Sequence, residues 1–261
     1  MIFFQTCVVA FSMFSRIPMP QFEWNERNMR YMLAAFPLVG VATGALICGW
    51  VWLCGAAGFG RELFAAGLLL CPVVVTGGIH LDGFCDVCDA LASHAAPERR
   101  REIMKDSHSG AFAIIGTGGY MLAYYALGCE LGADGIPAVG AVLPLVLCQV
   151  MSRAASGFCS ITYPASGSKG LLGYFRGVAD RRRAAGIDAV VFITAAAVAV
   201  ALSPVAGALC AAAVFAAAVA LYPVSKICFG GMSGDLSGWF LQVAELAALA
   251  AFIVAERLVI V

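Results

Sequence analysis

Long apolar stretches recur along almost the whole chain and limit how it can fold more than any other feature. A transmembrane helix needs about 20 mostly apolar residues to cross roughly 30 Å of hydrocarbon. Of the 261 residues, 62% are hydrophobic and only 12% are charged, whereas soluble domains have about 45–50% apolar and about 25% charged residues. The same composition excludes disordered, collagen-like and disulfide-stapled chains. We therefore predict an integral membrane protein.

The apolar stretches predict an all-α, polytopic helical bundle with about seven transmembrane helices. A β-barrel is excluded because its strands would alternate polar and apolar residues, and the sequence shows no such alternation. We predict one membrane-embedded catalytic domain over residues 1–261, with cytoplasmic loops at about 80–109, 159–187 and 227–238. The predicted spans lie near residues 31–54, 62–79, 110–130, 136–158, 188–203, 205–226 and 239–260.

The N-terminal apolar run differs from these spans. It lacks the basic residues that begin a signal peptide, and it stops at Ser15 and Arg16 before Pro18 and Pro20 interrupt the helix. We predict an interfacial or re-entrant segment that stays in the protein. An eighth, short span is the alternative.

Lysine and arginine are distributed unevenly between the two sides of the predicted bundle. Of the 16 such residues, all except Arg61 and Arg257 fall on one side, and Arg153 is counted among them. Because basic loops mark the cytoplasmic side, we predict a cytoplasmic (inner) membrane protein with its functional loops facing the cytoplasm.

The formal net charge of +0 gives no indication of nucleic-acid binding, and none is expected. Ala- and Gly-rich faces in the fifth and sixth spans allow tight packing within or between chains, which leaves a homo-oligomer open.

Three aspartates follow the second span at helical spacing. Asp82, Asp86 and Asp89 would form one narrow stripe on a helix. Three carboxylates on one face repel each other unless a counter-charge is present. Oxygen-only ligands favour Mg²⁺, Mn²⁺ or Ca²⁺, and Mg²⁺ joins protein carboxylates to substrate phosphates. The stripe therefore predicts phosphoryl chemistry with Mg²⁺; a solvated acidic turn is the alternative.

Groups suited to phosphate chemistry flank this stripe. Gly83 allows close approach of the backbone, Lys105 offers a cation for phosphate, and His80 is a candidate base or anion donor. A second acidic site is expected where Asp235 follows glycines just before the last span. Glu245 lies about ten residues inside that span, and we expect it to point into the bundle interior.

Cysteine offers a competing metal assignment. The 11 Cys residues are scattered and odd in number, so they do not predict a disulfide framework. Cys85 and Cys88 would suggest zinc if they were joined by His80, His94 or His108. However, the pair lies off the aspartate stripe, and the histidines are too far apart in sequence for a zinc finger. We therefore favour Mg²⁺.

Several motifs identify a family. The most specific is GGIHLDGFCDVCDA, which reads His-x-Asp-Gly-x-x-Asp-x-x-Asp. It is preceded by FSRIPMP and FPLVG and followed by IMKDSHSG and by GGMSGD with a later Glu. In this order, and over nearly the whole chain, the motifs resemble the cobalamin synthase family, adenosylcobinamide-GDP ribazoletransferases.

The resemblance implies a multi-span cytoplasmic-membrane enzyme that needs Mg²⁺ and completes the nucleotide loop of cobalamin. Such an enzyme joins adenosylcobinamide-GDP to α-ribazole, or to its 5′-phosphate, and releases GMP. The resemblance also implies that Asp82, Asp86 and Asp89 bind the metal and the pyrophosphate, with Asp106 and Asp235 as further acidic members.

The chain departs from the family pattern at a few positions. The family commonly has Gly at the position of Ala90, a small residue at Cys85 and Arg at His108. Because that Arg is absent, we expect Lys105 or Arg176 to supply the phosphate contact.

The predicted mechanism is in-line attack of the ribazole 3′-hydroxyl on the cobinamide-side phosphorus. The catalytic candidates are Asp82, His80 and Lys105, and either a carboxylate or His80 would remove the hydroxyl proton.

Two other functions use similar residues. One is a cation transporter, which would place its charges at mid-bilayer on several spans. The other is a membrane phosphotransferase that makes phospholipid head groups.

Overall fold

The computed structural model describes residues 2–106, 108–166 and 171–259. Ser107 and residues 167–170 of the predicted 159–187 loop lie outside the described residues. The described part of the chain is mostly helical and contains no β-strand, which confirms the all-α prediction. The helices are α1 (Ile2–Phe14), α2 (Glu26–Met29), α3 (Met32–Ala35), α4 (Pro37–Ala57), α5 (Arg61–Thr76), α6 (Ile79–Ala92), α7 (Pro97–Ile103), α8 (Ala111–Leu131), α9 (Leu143–Thr162), α10 (Leu171–Val178), α11 (Arg181–Leu202), α12 (Pro204–Pro223), a π-helical turn (Val224–Cys228) and α13 (Gly234–Val259).

Within the described residues, six helical segments are long and apolar enough to cross a membrane, or seven if α5 and α6 are counted as one bent span. This agrees with the prediction of about seven spans. The bend between α5 and α6 is 99°. It lies at Gly77 and Gly78, whose φ angles of +66° and +83° are in the left-handed region that glycine adopts without steric cost. Because α6 turns so sharply away from α5 and almost all of it belongs to the predicted loop at 80–109, we treat α6 as lying outside the spans.

Two of the predicted cytoplasmic loops, at 80–109 and 159–187, contain more helix than the sequence prediction gave them. The predicted loop at 80–109 contains most of α6 and all of α7. α11 begins at Arg181, earlier than the predicted span at 188–203. Asp180 explains this early start, because its side chain accepts a hydrogen bond from the backbone N–H of Arg183 and caps the helix. Arg181 also donates to the carbonyl of Ile161 at the end of α9.

α9 lies at the centre of the bundle and packs against α4, α11, α12 and α13. A buried ion pair joins it to α13. Arg153 Nη1 lies 2.8 Å from Glu245 Oε1, and both side chains are only 1% exposed. The prediction that counts Arg153 among the basic loop residues of the cytoplasmic side is therefore wrong, since the adjacent carboxylate allows a guanidinium inside the bundle. The prediction that Glu245 points into the interior is confirmed.

The N-terminal segment forms α1 and stays with the bundle. Its 13 residues reach only about 20 Å, too short to cross the hydrocarbon core. At its end, the ring of Phe14 lies 4.2 Å from that of Phe36, and the backbone N–H of Arg16 donates to the carbonyl of Val75. These contacts hold the end of α1 against α4 and α5.

Candidate active site

A cavity of about 650 Å³ opens where α1, α6, α9 and α13 come together. Its volume is within the roughly 300–1,000 Å³ that proteins use for small-molecule sites. Its charged lining residues are Asp82, Asp235, Lys105 and Arg101. The structure therefore places three of the predicted site residues, Asp82, Asp235 and Lys105, around a single cavity.

The first turn of α6 meets the first turn of α13 at this cavity. Gly83 is buried between them. A Cβ atom at this position would lie 2.8 Å from Asp235 Cα and 2.9 Å from the Asp235 carbonyl oxygen. The missing side chain thus allows α6 and α13 to approach closely, which brings Asp82 and Asp235 to the same cavity wall. The predicted contact between Gly83 and phosphate stays a prediction.

The carboxylates around α6 influence one another. Burial, together with smaller contributions from the nearby charges of Asp82, Asp235 and Asp89 in that order, raises the pKa of Asp86 to about 6. Among the described residues, the side chains of Asp82, Asp86 and Asp235 accept no hydrogen bond from the protein. This cluster therefore concentrates negative charge that the protein itself does not neutralise.

A ready-made metal centre is not found among the described residues, where no three His, Cys, Asp or Glu side chains are grouped closely enough to hold an ion. Cys85, which was considered for zinc, has its Sγ atom 2.9 Å from Thr117 Oγ1 on α8. Of the three clustered carboxylates, Asp82 and Asp235 line the cavity.

Asp89, the third member of the stripe, has a structural role in this arrangement. Its Oδ2 accepts a 2.6 Å hydrogen bond from the backbone N–H of Gly110, and its Oδ1 accepts a 2.8 Å bond from that of Ala113. These donors belong to the unsatisfied N–H groups at the start of α8, where a carboxylate is favoured. Asp89 therefore fixes α8 to α6. The metal-binding role of Asp89 stays a prediction.

Among the predicted site residues, Gly83, Asp86 and Asp89 do not line the cavity, and neither do Asp106 and Arg176. Asp106 is exposed. Its Oδ1 accepts a hydrogen bond from the backbone N–H of His108 and lies 2.8 Å from the ring Nδ1 of the same histidine. These bonds lower the pKa of Asp106. Arg176 donates to the carbonyls of Ser160 and Tyr163 at the end of α9. The metal role of Asp106 and the phosphate role of Arg176 stay predictions.

His80 faces the cavity from the first turn of α6. The residue is 6% exposed, and its Nε2 has no hydrogen-bond partner among the described residues. Burial, with a smaller contribution from the charge of Arg153, lowers the pKa of His80 to about 3. The imidazole is therefore neutral at physiological pH.

Sequence reasoning missed the hydroxyl groups that line the cavity. Ser156 and Ser160 lie on successive turns of α9, and Ser233 and Ser237 belong to the start of α13. Ser160 Oγ and Ser237 Oγ are 2.8 Å apart and share a hydrogen bond. A usable signal was present, because Ser152, Ser156 and Ser160 recur every four residues within an apolar span and so lie on one helix face.

Comparison with known proteins agrees with the resemblance of the motifs. The family model described as cobalamin-5-phosphate synthase matches residues 6–253. An adenosylcobinamide-GDP ribazoletransferase from Lachnoclostridium phytofermentans is 36% identical over 97% of this chain and 94% of its own length. Proteins of the same name from Clostridium botulinum and Geobacillus kaustophilus are 31% and 32% identical and also align over more than nine-tenths of both chains. No solved structure matches the chain. Since the family model covers nearly the whole sequence, including every residue of the acidic cavity, the chain belongs to the cobalamin-5-phosphate synthase family.

Proposed function

We propose that this protein is a membrane-bound adenosylcobinamide-GDP ribazoletransferase. It joins adenosylcobinamide-GDP and α-ribazole, or α-ribazole 5′-phosphate, to give adenosylcobalamin, or its 5′-phosphate, and GMP. The observation that carries this proposal is the convergence of Asp82 and Asp235, from two separate helices, on one cavity that also contains Lys105. The names of the relatives supply the substrates, and the cavity supplies the acidic and basic groups that phosphoryl transfer requires.

The donor set of the acidic cluster suits Mg²⁺. The carboxylates of Asp82, Asp86 and Asp235 offer oxygen ligands that no protein group occupies among the described residues. Mg²⁺ typically uses one or two protein carboxylates and completes its shell with water and substrate phosphates, so the two carboxylates that line the cavity, Asp82 and Asp235, are enough. When bound there, the ion would neutralise charge on the pyrophosphate and polarise its phosphorus.

The side chains of the cavity would position the reacting groups. The 3′-hydroxyl oxygen of α-ribazole forms a bond to the cobinamide-side phosphorus, and the bond from that phosphorus to the bridging oxygen breaks. The bridging oxygen leaves with GMP. Asp82 or His80 accepts the hydroxyl proton, and Lys105 offsets negative charge on the departing phosphate. Because the two substrates must be held in line, most of the rate enhancement would come from positioning and charge neutralisation.

The cavity lies on the side of the bundle where lysine and arginine are concentrated. Lys105 and Arg101 line it, whereas Arg61 and Arg257 lie at helix ends remote from it in sequence. The positive-inside rule supports a cytoplasmic (inner) membrane location with the active site facing the cytoplasm. A homo-oligomer stays a prediction from the small residues of α11 and α12.

Turnover by the purified protein tests this proposal. In detergent micelles, we expect adenosylcobinamide-GDP, α-ribazole and Mg²⁺ to give a cobalamin product that mass spectrometry detects. EDTA should stop the reaction, and added Mg²⁺ should restore it, because substrate phosphates complete the metal site. A protein that stays folded, as judged by size-exclusion chromatography, and forms no product with Mg²⁺ would contradict the proposal.

A further inference from the structure

Two residues that line the cavity each carry a buried polar atom that has no hydrogen-bond partner among the described residues. These atoms are Oγ of Ser156, on α9, and Nε2 of His80, on α6. The two residues are 1% and 6% exposed. A buried polar group without a partner destabilises the folded state, and native proteins keep few of them. Two such residues around one cavity indicate a place where a ligand supplies the missing hydrogen bonds.

Among the three serines on this face of α9, only Ser156 lacks a hydrogen-bond partner for its hydroxyl within the described residues. On the preceding turn of α9, the hydroxyl of Ser152 donates to Glu245, and on the following turn that of Ser160 is bonded to Ser237. Ser156 lies between them and has neither kind of partner. The adjacent polar networks of the bundle therefore do not account for its hydroxyl.

The rest of the cavity wall near these groups is apolar and aromatic. The ring of Phe36 lies 5.5 Å from that of His80, and the ring of Phe14 lies 4.2 Å from that of Phe36. Leu33 and Phe175 also line the cavity. Such a surface favours a flat, uncharged ring system over a phosphate.

We propose that His80 and Ser156 form a subsite that binds the ribose hydroxyls of α-ribazole, with its bicyclic base against Phe14 and Phe36. This inference rests on the proposed function. A ribose hydroxyl both donates and accepts hydrogen bonds, and so matches an imidazole nitrogen and a serine hydroxyl. The apolar dimethylbenzimidazole base matches the aromatic wall.

The alternative occupants fit less well. A corrin ring with its nucleotide is too large to be enclosed by about 650 Å³. The guanosine diphosphate group carries charge that suits Lys105 and Arg101 better than an aromatic wall. Asp82 lies two residues after His80 on the same helix and lines the same cavity. A ribose held at His80 would therefore present its hydroxyls beside the acidic cluster.

The variant Ser156→Ala tests the subsite. At saturating adenosylcobinamide-GDP, we expect its KM for α-ribazole to rise about tenfold, since one hydrogen bond of about 1.4 kcal/mol is lost. The KM for adenosylcobinamide-GDP should stay unchanged. 5,6-Dimethylbenzimidazole, which lacks the ribose, should inhibit wild type and variant with the same inhibition constant. The control Thr162→Ala removes a hydroxyl of α9 that is exposed and bonded to Phe158, and it should leave every constant unchanged.

Thermal unfolding separates ligand binding from a structural role. Removing a buried hydroxyl that lacks a partner should leave the melting temperature of Ser156→Ala unchanged or raise it, whereas loss of a structural hydrogen bond would lower it. If Ser156→Ala has the wild-type KM for α-ribazole, or if only its KM for adenosylcobinamide-GDP rises, the subsite proposal is wrong. The proposal is also wrong if the variant loses as much affinity for 5,6-dimethylbenzimidazole as for α-ribazole. If wild-type protein makes no product, the proposed function itself fails, and this inference fails with it.

Discussion

Replacing Asp82 by Asn should abolish turnover while leaving a folded, membrane-inserted protein. Asp82 lines the cavity and is next to Gly83, where α6 packs closely against the backbone of Asp235. The substitution keeps the size of the side chain but removes the charge that a cation and the reacting hydroxyl require. We expect kcat to fall by at least about 10²–10³-fold, the scale seen when a group that stabilises transition-state charge is lost. GMP release measured by liquid chromatography gives the rate.

A matched control separates this effect from a general change of charge. Asp134 is an exposed carboxylate in the connection between α8 and α9, where it pairs with Arg257. Asp134→Asn makes the same chemical change away from the cavity and should retain wild-type turnover. Since Asp82 is exposed, its substitution should leave the melting temperature within a few degrees of that of wild type. If Asp82→Asn kept more than a tenth of wild-type kcat, the assignment of the acidic cluster would be wrong.

Breaking the buried ion pair should have the largest effect on stability. Arg153 also donates to the carbonyl and to the side-chain oxygen of Gln149 and lies 2.8 Å from Glu245 Oε1. Glu245→Leu would leave a guanidinium buried without its counter-charge, which costs about 3–5 kcal/mol. We expect the thermal midpoint of the purified protein to fall by about 10 °C or more. Intrinsic fluorescence during heating measures it.

The double variant Arg153→Met with Glu245→Leu tests whether the loss comes from the unpaired charge. Replacing both partners with apolar side chains removes the buried guanidinium together with its partner, and such replacements are often neutral or stabilising. The double variant should therefore be more stable than Glu245→Leu alone. If the two proteins melt at the same temperature, or if Glu245→Leu melts with the wild type, the ion pair does not hold α9 to α13.

Local spacing accounts for the parts of the site that sequence could predict. Asp82 and Asp86 lie four residues apart, so any helix through them places both carboxylates on one face. The bend before them could also have been expected, because two consecutive glycines can adopt the positive φ angles found at Gly77 and Gly78. The long apolar stretches give the spans by length alone. Each of these features depends on residues close together in the chain.

Features that depend on distant residues could not be predicted in this way. Asp89 looks equivalent to Asp82 in the sequence, yet both its oxygens bond the start of α8, more than 20 residues away. Arg153 was counted among the basic loop residues, and its burial could not be predicted because its partner, Glu245, is 92 residues further along the chain. Ser156 became a candidate only when its hydroxyl was found buried in the cavity wall. In each case, tertiary contacts decide what a polar group does.

The central proposal for this protein is that its cavity couples two substrates instead of hydrolysing one. The most direct measurement follows isotopically labelled α-ribazole together with GMP release in proteoliposomes that contain the wild-type protein. The account predicts one GMP for each labelled ribazole incorporated into the corrinoid, and no GMP when α-ribazole is omitted. GMP released at the same rate without α-ribazole, or released without label entering the corrinoid, would contradict it.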